Sequence, residues 1–317
     1  MHSHPLDRRS FLRGAVAGGA LLGLGLRSPL ALAADLSGKP KPGKIGDFKI
    51  SLAEWSLHKA LFSKQLDNLD FPKVAREDYG VDGVEYVNQF FKDKAHDSAY
   101  LKDLKKRAAA HGVANVLIMI DGEGDLSAPE KADRDKAVEN HKKWVDAAAE
   151  LGCHAIRVNT GSHYSPTDVA AAAEACGALS AYGASHKIHV ICENHGGPSS
   201  NPDALLALIK AVGSDNFGTL PDFGNFPKKD GRYAIDVYEA IARMMPHAKG
   251  VSAKSYNFDA EGNESNLDFA RIMKIVTDAG YDGFVGIEYE GSALSEPEGI
   301  KATKKLLEKL RGSEYAG

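Results

Sequence analysis

Eight short apolar runs recur along the chain, each followed by a segment with helical periodicity. The runs are FKISLAEW (48–55), GVEYV (83–87), NVLIMI (115–120), AIRVN (155–159), IHVICE (188–193), FGTLP (217–221), GVSAKSY (250–256) and GFVGIEY (283–289). Runs this short, bounded by glycine, asparagine or aspartate, predict strands buried on both faces. The intervening segments predict helices near 64–79, 99–111, 131–151, 167–186, 202–213, 234–245, 266–279 and 295–311. The third sets Val138, Trp144, Val145, Ala148 and Leu151 on helical spacing. The fourth opens at Thr167-Asp168 after Pro166 and is largely alanine, the strongest helix former. Gly112, Gly152, Gly213 and Gly280 follow expected helix ends, as C-capping glycines do. Eight strand–helix repeats over 48–312 predict an α/β fold, a single (β/α)8 barrel. A doubly wound open sheet is the competing architecture, but no glycine-rich phosphate loop follows any strand.

A parallel barrel gathers its chemistry at the C-terminal strand ends. Three acidic residues close apolar runs there: Glu193, Asp222 and Glu288. Converging carboxylates repel one another unless a cation lies between them, so a divalent metal site is the first expectation. An alternative needs no metal: ion pairs from Lys254 or Arg157 could hold the same carboxylates. Strand alternation puts Ile191 and His195 on the face of Glu193 and turns Cys192 toward the helices. It likewise groups Ser252, Lys254 and Tyr256, and pairs Arg157 with Asn159. Glu85 and Arg157, at strand ends, are expected to bind substrate hydroxyls. Trp55 is either a sugar-stacking platform or core, because its parity disagrees with Glu54 unless the strand bulges. His58 and Tyr256 are further mouth candidates, and Asp121 sits in a solvated acidic loop.

Charge and composition narrow the partners. The full chain carries −4, and residues 1–33 carry four arginines and one aspartate, leaving −7 for the remainder. A mildly acidic chain with no basic block disfavours nucleic acid. Residues 1–33 predict a cleavable twin-arginine signal peptide: Arg8-Arg9-Ser10-Phe11-Leu12-Arg13, a glycine-rich apolar stretch and Ala31-Leu32-Ala33. That stretch is too short for a membrane span, so no span is expected in the mature protein, which would be periplasmic or secreted. Residues 34–47, rich in Lys, Pro and Gly, predict a linker. Cys153, Cys176 and Cys192 match no metal or disulfide spacing and read as core.

The segments ENHGG (193–197), PDFGNF (221–226), VSAKSY (251–256) and GIEYEG (286–291) together resemble the sugar phosphate isomerase/epimerase family of the xylose isomerase-like TIM barrel superfamily. SLAEWSLHKA and GVEYVNQFF extend the likeness to an exported, twin-arginine branch. The resemblance spans about 48–312 and implies a divalent metal held by Glu193, Asp222 and Glu288. Mn or Mg is favoured by oxygen ligands, with Co or Zn as alternatives. It also implies a fourth, histidine ligand on strand seven, but Ser252 stands there. A family histidine that contacts substrate, three residues after the strand-six aspartate, is Asn225 here. Ser252, His195, water or substrate could complete the ligand set.

The resemblance implies proton abstraction next to a carbonyl of a small sugar or sugar derivative, through an enediolate. Glu193 and Glu288 would be ligands and proton carriers, with Lys254 a third catalytic candidate; His195, Asn225 and Tyr256 would contact substrate. Return of the proton to the neighbouring carbon isomerises, and return to the other face epimerises. Two alternatives stay open: a 3-keto-glycoside lyase eliminating from the same enediolate, and a non-catalytic sugar-binding barrel. Homo-oligomerisation is left open.

Overall fold

The computed structural model describes residues 35–317. The expected twin-arginine segment therefore lies outside the described residues. Eight parallel strands alternate with helices. They are β1 (Lys49–Ala53), β2 (Gly83–Val87), β3 (Ala114–Ile120), β4 (Ala155–Val158), β5 (His189–Glu193), β6 (Phe217–Leu220), β7 (Val251–Ser255) and β8 (Phe284–Tyr289). Their order in the sheet is β7-β8-β1-β2-β3-β4-β5-β6. Parallel bridges Thr219–Ala248 and Asp222–Ser252 join β6 to β7 and close the barrel. The seam is carried by backbone bonds: Lys249 N–H to Thr219 O (3.0 Å), Ser252 N–H to Pro221 O (3.0 Å) and Phe223 N–H to Ser252 O (3.1 Å).

The helices are α1 (Phe71–Glu77), α2 (Ser98–Ala110), α3 (Lys131–Leu151), α4 (Ala170–Ser185), α5 (Pro202–Val212), α6 (Val237–Met244), α7 (Phe269–Asp278) and α8 (Glu296–Leu310). Local chemistry sets several of their limits. Asp236 and Asp268 accept the orphan N–H groups at the starts of α6 and α7. Ser295 and Glu298 form a capping box at α8. Gly152 and Gly213 stop α3 and α5 with left-handed φ of 83° and 60°, where a side chain would be strained.

Burial on both faces splits the apolar residues into two layers. Ala53, Val87, Leu117, Met119, Ala155, Ile191 and Leu220 fill the barrel interior. A far larger cluster, including Trp144, Leu179, Leu208, Ile272 and Ile300, lies between strands and helices. Cys153, Cys176 and Cys192 are free and buried, as expected.

Two expectations need correction. The first strand ends at Ala53, because Glu54–Leu57 wind into a 3-10 turn. That turn, rather than a bulge, resolves the parity of Trp55. The 34–47 segment is also more than a linker. Gly43–Lys44 pair antiparallel with Glu314–Tyr315, Ile45 is wholly buried, and Arg271 Nε donates to Gly38 O (2.7 Å). One buried isoleucine and a backbone clasp are enough to tie down a stretch whose composition suggests none of this. A short hairpin, Lys228–Lys229 with Arg232–Tyr233, also emerges in the β6–α6 loop with no signal in the apolar pattern.

Gly299 on α8 faces Tyr289 so closely that an added Cβ would lie 2.2 Å from the ring. Alanine gains about 1 kcal/mol of helix propensity over glycine, but overpacking against a buried ring costs about 1–3 kcal/mol. Gly299→Ala is therefore expected to lower stability in urea unfolding; a higher midpoint would contradict this packing.

Candidate active site

Glu193, Asp222 and Glu288 come from β5, the residue pair after β6, and β8, all at the C-terminal ends of their strands. Each offers a ligand oxygen, and those oxygens lie within 4.8 Å of one another. All three are buried, at 1 %, 0 % and 4 % exposure. Backbone geometry fixes their bases. Asn194 accepts the Asp222 N–H at 2.7 Å and donates to its carbonyl at 3.0 Å, locking the ends of β5 and β6 together. Asn88 makes the same two-way clamp on Asp121 across β2 and β3.

Two cations face this cluster. Lys254 Nζ, at 1 % exposure, lies 3.1 Å from Glu288, 3.4 Å from Glu290 and 3.9 Å from Asp222. Arg157 sits 2.8 Å from Glu193 Oε2 and 2.9 Å from Asp121 Oδ1. Both ion pairs named as the metal-free alternative are therefore formed. Burial pushes Glu288 up, but Lys254, Ser252 and Arg157 outweigh it and leave its carboxyl below the ordinary range. Burial opposes the charge of Lys254, yet Glu288, Asp222, Glu193 and Glu290 hold it well above the ordinary lysine value.

Ser252 occupies the place where the resemblance implied histidine. Its Oγ lies 2.7 Å from Asp222 Oδ2 and 2.8 Å from Glu288 Oε2. One hydroxyl carries one proton, so a second proton must come from a carboxyl for both contacts to be hydrogen bonds. Asp222 is the candidate holder. Burial raises it to about 8, against the pull of Lys254.

The donor set is hard: three carboxylates with a hydroxyl between two of them, which suits Mg²⁺ or Mn²⁺. Glu193 Oε2 adds a structural reason. It is buried without a hydrogen bond, since Arg157 Nε approaches it out of line. A buried carboxylate oxygen without an aligned hydrogen bond can still accept a cation, which would share Glu193 with Arg157. The residues fit the ion, with Lys254 as its competitor for Glu288.

The remaining sequence-derived residues divide. Asn225 donates from Nδ2 to Glu193 Oε1 at 2.8 Å, so it orients a carboxylate. It shares a 430 Å³ cavity with Tyr256, Gly196, Gly197 and Lys228, whose ammonium covers the Tyr256 ring at 4.9 Å. His195 is exposed in an adjoining 610 Å³ cavity with Asn159, Thr160 and Asp125, and it stands outside the three-carboxylate group. Arg157 was expected at substrate hydroxyls; its guanidinium is instead consumed by Asp121, Asn159 and Glu193. Glu85 was expected there too, but it is buried inside the barrel. Ser51 donates to it at 2.5 Å, and a Cβ on Gly286 would strike its carboxylate at 2.6 Å. His58 stacks on Trp55 at 4.9 Å, its Nδ1 2.7 Å from Trp55 O. Trp55 is half-buried at the rim, where Nε1 donates to Glu290 Oε1 at 2.5 Å.

Glu290, Asn194 and Asn88 escaped the sequence reading. Glu290 lies two residues past Glu288, so strand alternation alone could have placed it on the same face. The two asparagines immediately follow strands, where they read as ordinary turn residues.

A family model described as xylose isomerase-like TIM barrel matches residues 74–311. The chain belongs to the xylose isomerase-like TIM barrel family. Among solved structures, D-psicose 3-epimerase from Clostridium cellulolyticum H10, with D-tagatose, superposes with a TM-score of 0.65 at 13 % identity, covering 84 % of this chain and 100 % of that one. An L-ribulose 3-epimerase gives 0.61 at 18 % identity, covering 83 % and 94 %. A segment of 65 residues is 38 % identical to the C-glycoside deglycosidase alpha subunit of Arthrobacter globiformis; it spans 20 % of this chain and 18 % of that protein. Among the described residues, no helix is long and apolar enough to cross a membrane.

Burial raises Glu85 from 4.5 to about 8. The folded state therefore keeps a proton that the unfolded chain has released above ~4.5. That contribution to stability is complete below pH ~4.5 and is lost as pH rises through about 8. Glu85→Gln retains an acceptor for Ser51 and cannot titrate. Thermal melts across this window should show a smaller fall in Tm for the variant than for the parent. Asp222 leaves a residual slope, being raised in the same direction. Parallel curves would show that Glu85 does not carry the effect.

Proposed function

We propose that this barrel is a sugar isomerase/epimerase that works by removing a proton next to a carbonyl through an enediolate. The observation that carries the reading is the meeting of Glu193 and Glu288 at one mouth, with Arg157 against the first and Lys254 against the second. Glu193, Asp222 and Glu288, with the Ser252 hydroxyl, would hold a divalent ion, Mn or Mg by their donor type. Such an ion supplies Lewis-acid stabilisation of negative charge on substrate oxygen. One glutamate takes the α-proton as the C–H bond breaks, and its electrons pass to the carbonyl oxygen. The other, entering protonated, gives its proton to the opposite face; alternatively the first glutamate hands the abstracted proton to the neighbouring carbon. Lys254, kept protonated by its carboxylate neighbours, offsets the developing oxyanion charge. Asn225 holds Glu193 in place through Oε1, and Arg157 lies 2.8 Å from Oε2. The epimerases that share the fold support the choice of reaction class.

A second reading is β-elimination from a 3-keto-glycoside, in which the enediolate electrons expel the leaving group instead of recapturing a proton. The 65-residue likeness to a C-glycoside deglycosidase subunit favours it. The Arg8–Arg13 motif supports a periplasmic or secreted site of action, where glycosides are available and phosphorylated sugars are scarce.

Solvent deuterium uptake into ketosugars, with aglycone release from 3-keto-glycosides assayed in parallel, separates the readings. Glu193→Gln and Glu288→Gln should each cut turnover by at least about 10³-fold with an unchanged circular dichroism spectrum. Chelation of divalent ions should do the same, reversibly on adding Mn²⁺. Metal binding without exchange on any sugar would leave a non-catalytic binding barrel; parent-like turnover in either glutamine variant would refute the assignment of these glutamates.

A further inference from the structure

The mouth is divided chemically. The loops after β3 to β7 line the two polar cavities with Asn159, His195, Asn225, Tyr256 and Lys228. The loops after β1 and β2 instead present aromatic rings. Phe62, which ends a one-turn helix (His58–Phe62), is 56 % exposed; among the described residues only Leu36 is its companion as an exposed large hydrophobic side chain. Phe62 meets Phe90 at 5.0 Å and 61°, and Trp55 stands 6.1 Å from Phe62 and 6.3 Å from Phe90. His58 stacks on one face of the indole at 4.9 Å, which holds Trp55 in place.

This aromatic wall is continuous with the charged cluster. Trp55 Nε1 bonds Glu290, Glu290 lies 3.4 Å from Lys254 Nζ, and Lys254 lies 3.1 Å from Glu288. A substituent leaving a sugar seated over Lys254 on the Glu290 side would meet Trp55, with Phe62 and Phe90 beyond it. A monosaccharide can lay one C–H face on one ring, as Trp55 was expected to offer, but it does not extend over three rings, of which Phe62 stays 56 % exposed. A flat apolar substituent does, because aromatic rings associate edge-to-face and in offset stacks at these spacings.

We propose that the wall is the seat for an aromatic aglycone, and that the substrate is the keto-sugar form of an aryl glycoside. This rests on the reading of the mouth as a sugar site, and it names the substrate class.

Ligand binding can be followed through tryptophan emission. The chain has two tryptophans; Trp144 is fully buried on α3, so added ligands act on Trp55. Phenyl β-D-glucoside and methyl β-D-glucoside are titrated against the full chain. The phenyl compound should bind about fivefold to tenfold more tightly, the scale of one good aromatic contact. In Phe62→Ala, and separately in Phe90→Ala, that ratio should fall toward one. Equal affinities in the parent, no binding of either glycoside, or a ratio that survives Phe62→Ala would each overturn the proposal. So would sedimentation showing that Phe62→Ala dissociates an oligomer while the aryl preference persists, since a second copy of the chain would then be the occupant. The test needs no turnover: deuterium exchange intact with no aryl preference defeats this inference alone, and aryl preference without exchange defeats only the reaction assigned above.

Discussion

Everything at the mouth of this barrel follows from the cost of burying three acidic side chains within a few ångströms, with a fourth at the rim. Glu193, Asp222, Glu288 and, a little further out, Glu290 surround a space that water hardly reaches. In a medium of low polarisability, like charges cannot be left so close without compensation. The chain compensates in three ways at once. Lys254 and Arg157 bring opposite charge, Ser252 bridges two of the carboxylates, and the rise of Asp222 to about 8 lets it keep a proton at neutral pH. A buried ion pair of this kind contributes little net stability, since desolvation consumes most of the attraction. Its value lies in pre-setting charged groups where a reaction can use them.

The same constraint explains why the site lies at the barrel seam. β6 and β7 meet through isolated bridges, and one of these pairs Asp222 with Ser252. The carboxylate and the hydroxyl that bonds it are held together by the backbone contact that closes the sheet. A divalent ion held here would share Glu288 with the ammonium of Lys254, 3.1 Å away. The outer mouth is then free to specialise, with glycine-lined polar cavities on one side and an aromatic cluster, Phe62 exposed, on the other.

Much of this was legible before any coordinates. The apolar runs put Glu193, Asp222, Glu288, Lys254 and Arg157 near strand ends at one mouth, and the structure brings all five together. Parity says which face a residue takes, however, and not how deep it lies. Glu85 and Glu288 both point inward, yet Glu85 sits against Gly286 below the mouth. Trp55 was ambiguous because a 3-10 turn leaves no mark in a strand pattern. Asn225 could be seen as a departure from the family, but its new duty of orienting Glu193 depends on a contact across 32 residues.

The sequence by itself determined the eightfold strand–helix alternation, the inward carboxylates and the lysine beside them. These depend on local periodicity, which any chain segment carries within itself. Only the tertiary structure decided which charges pair, which acid keeps its proton, and that Trp55, Phe62 and Phe90 form one wall. Those outcomes depend on distances of a few ångströms between residues far apart in the chain. Electrostatic and aromatic energies change steeply over such distances, and no one-dimensional pattern contains them.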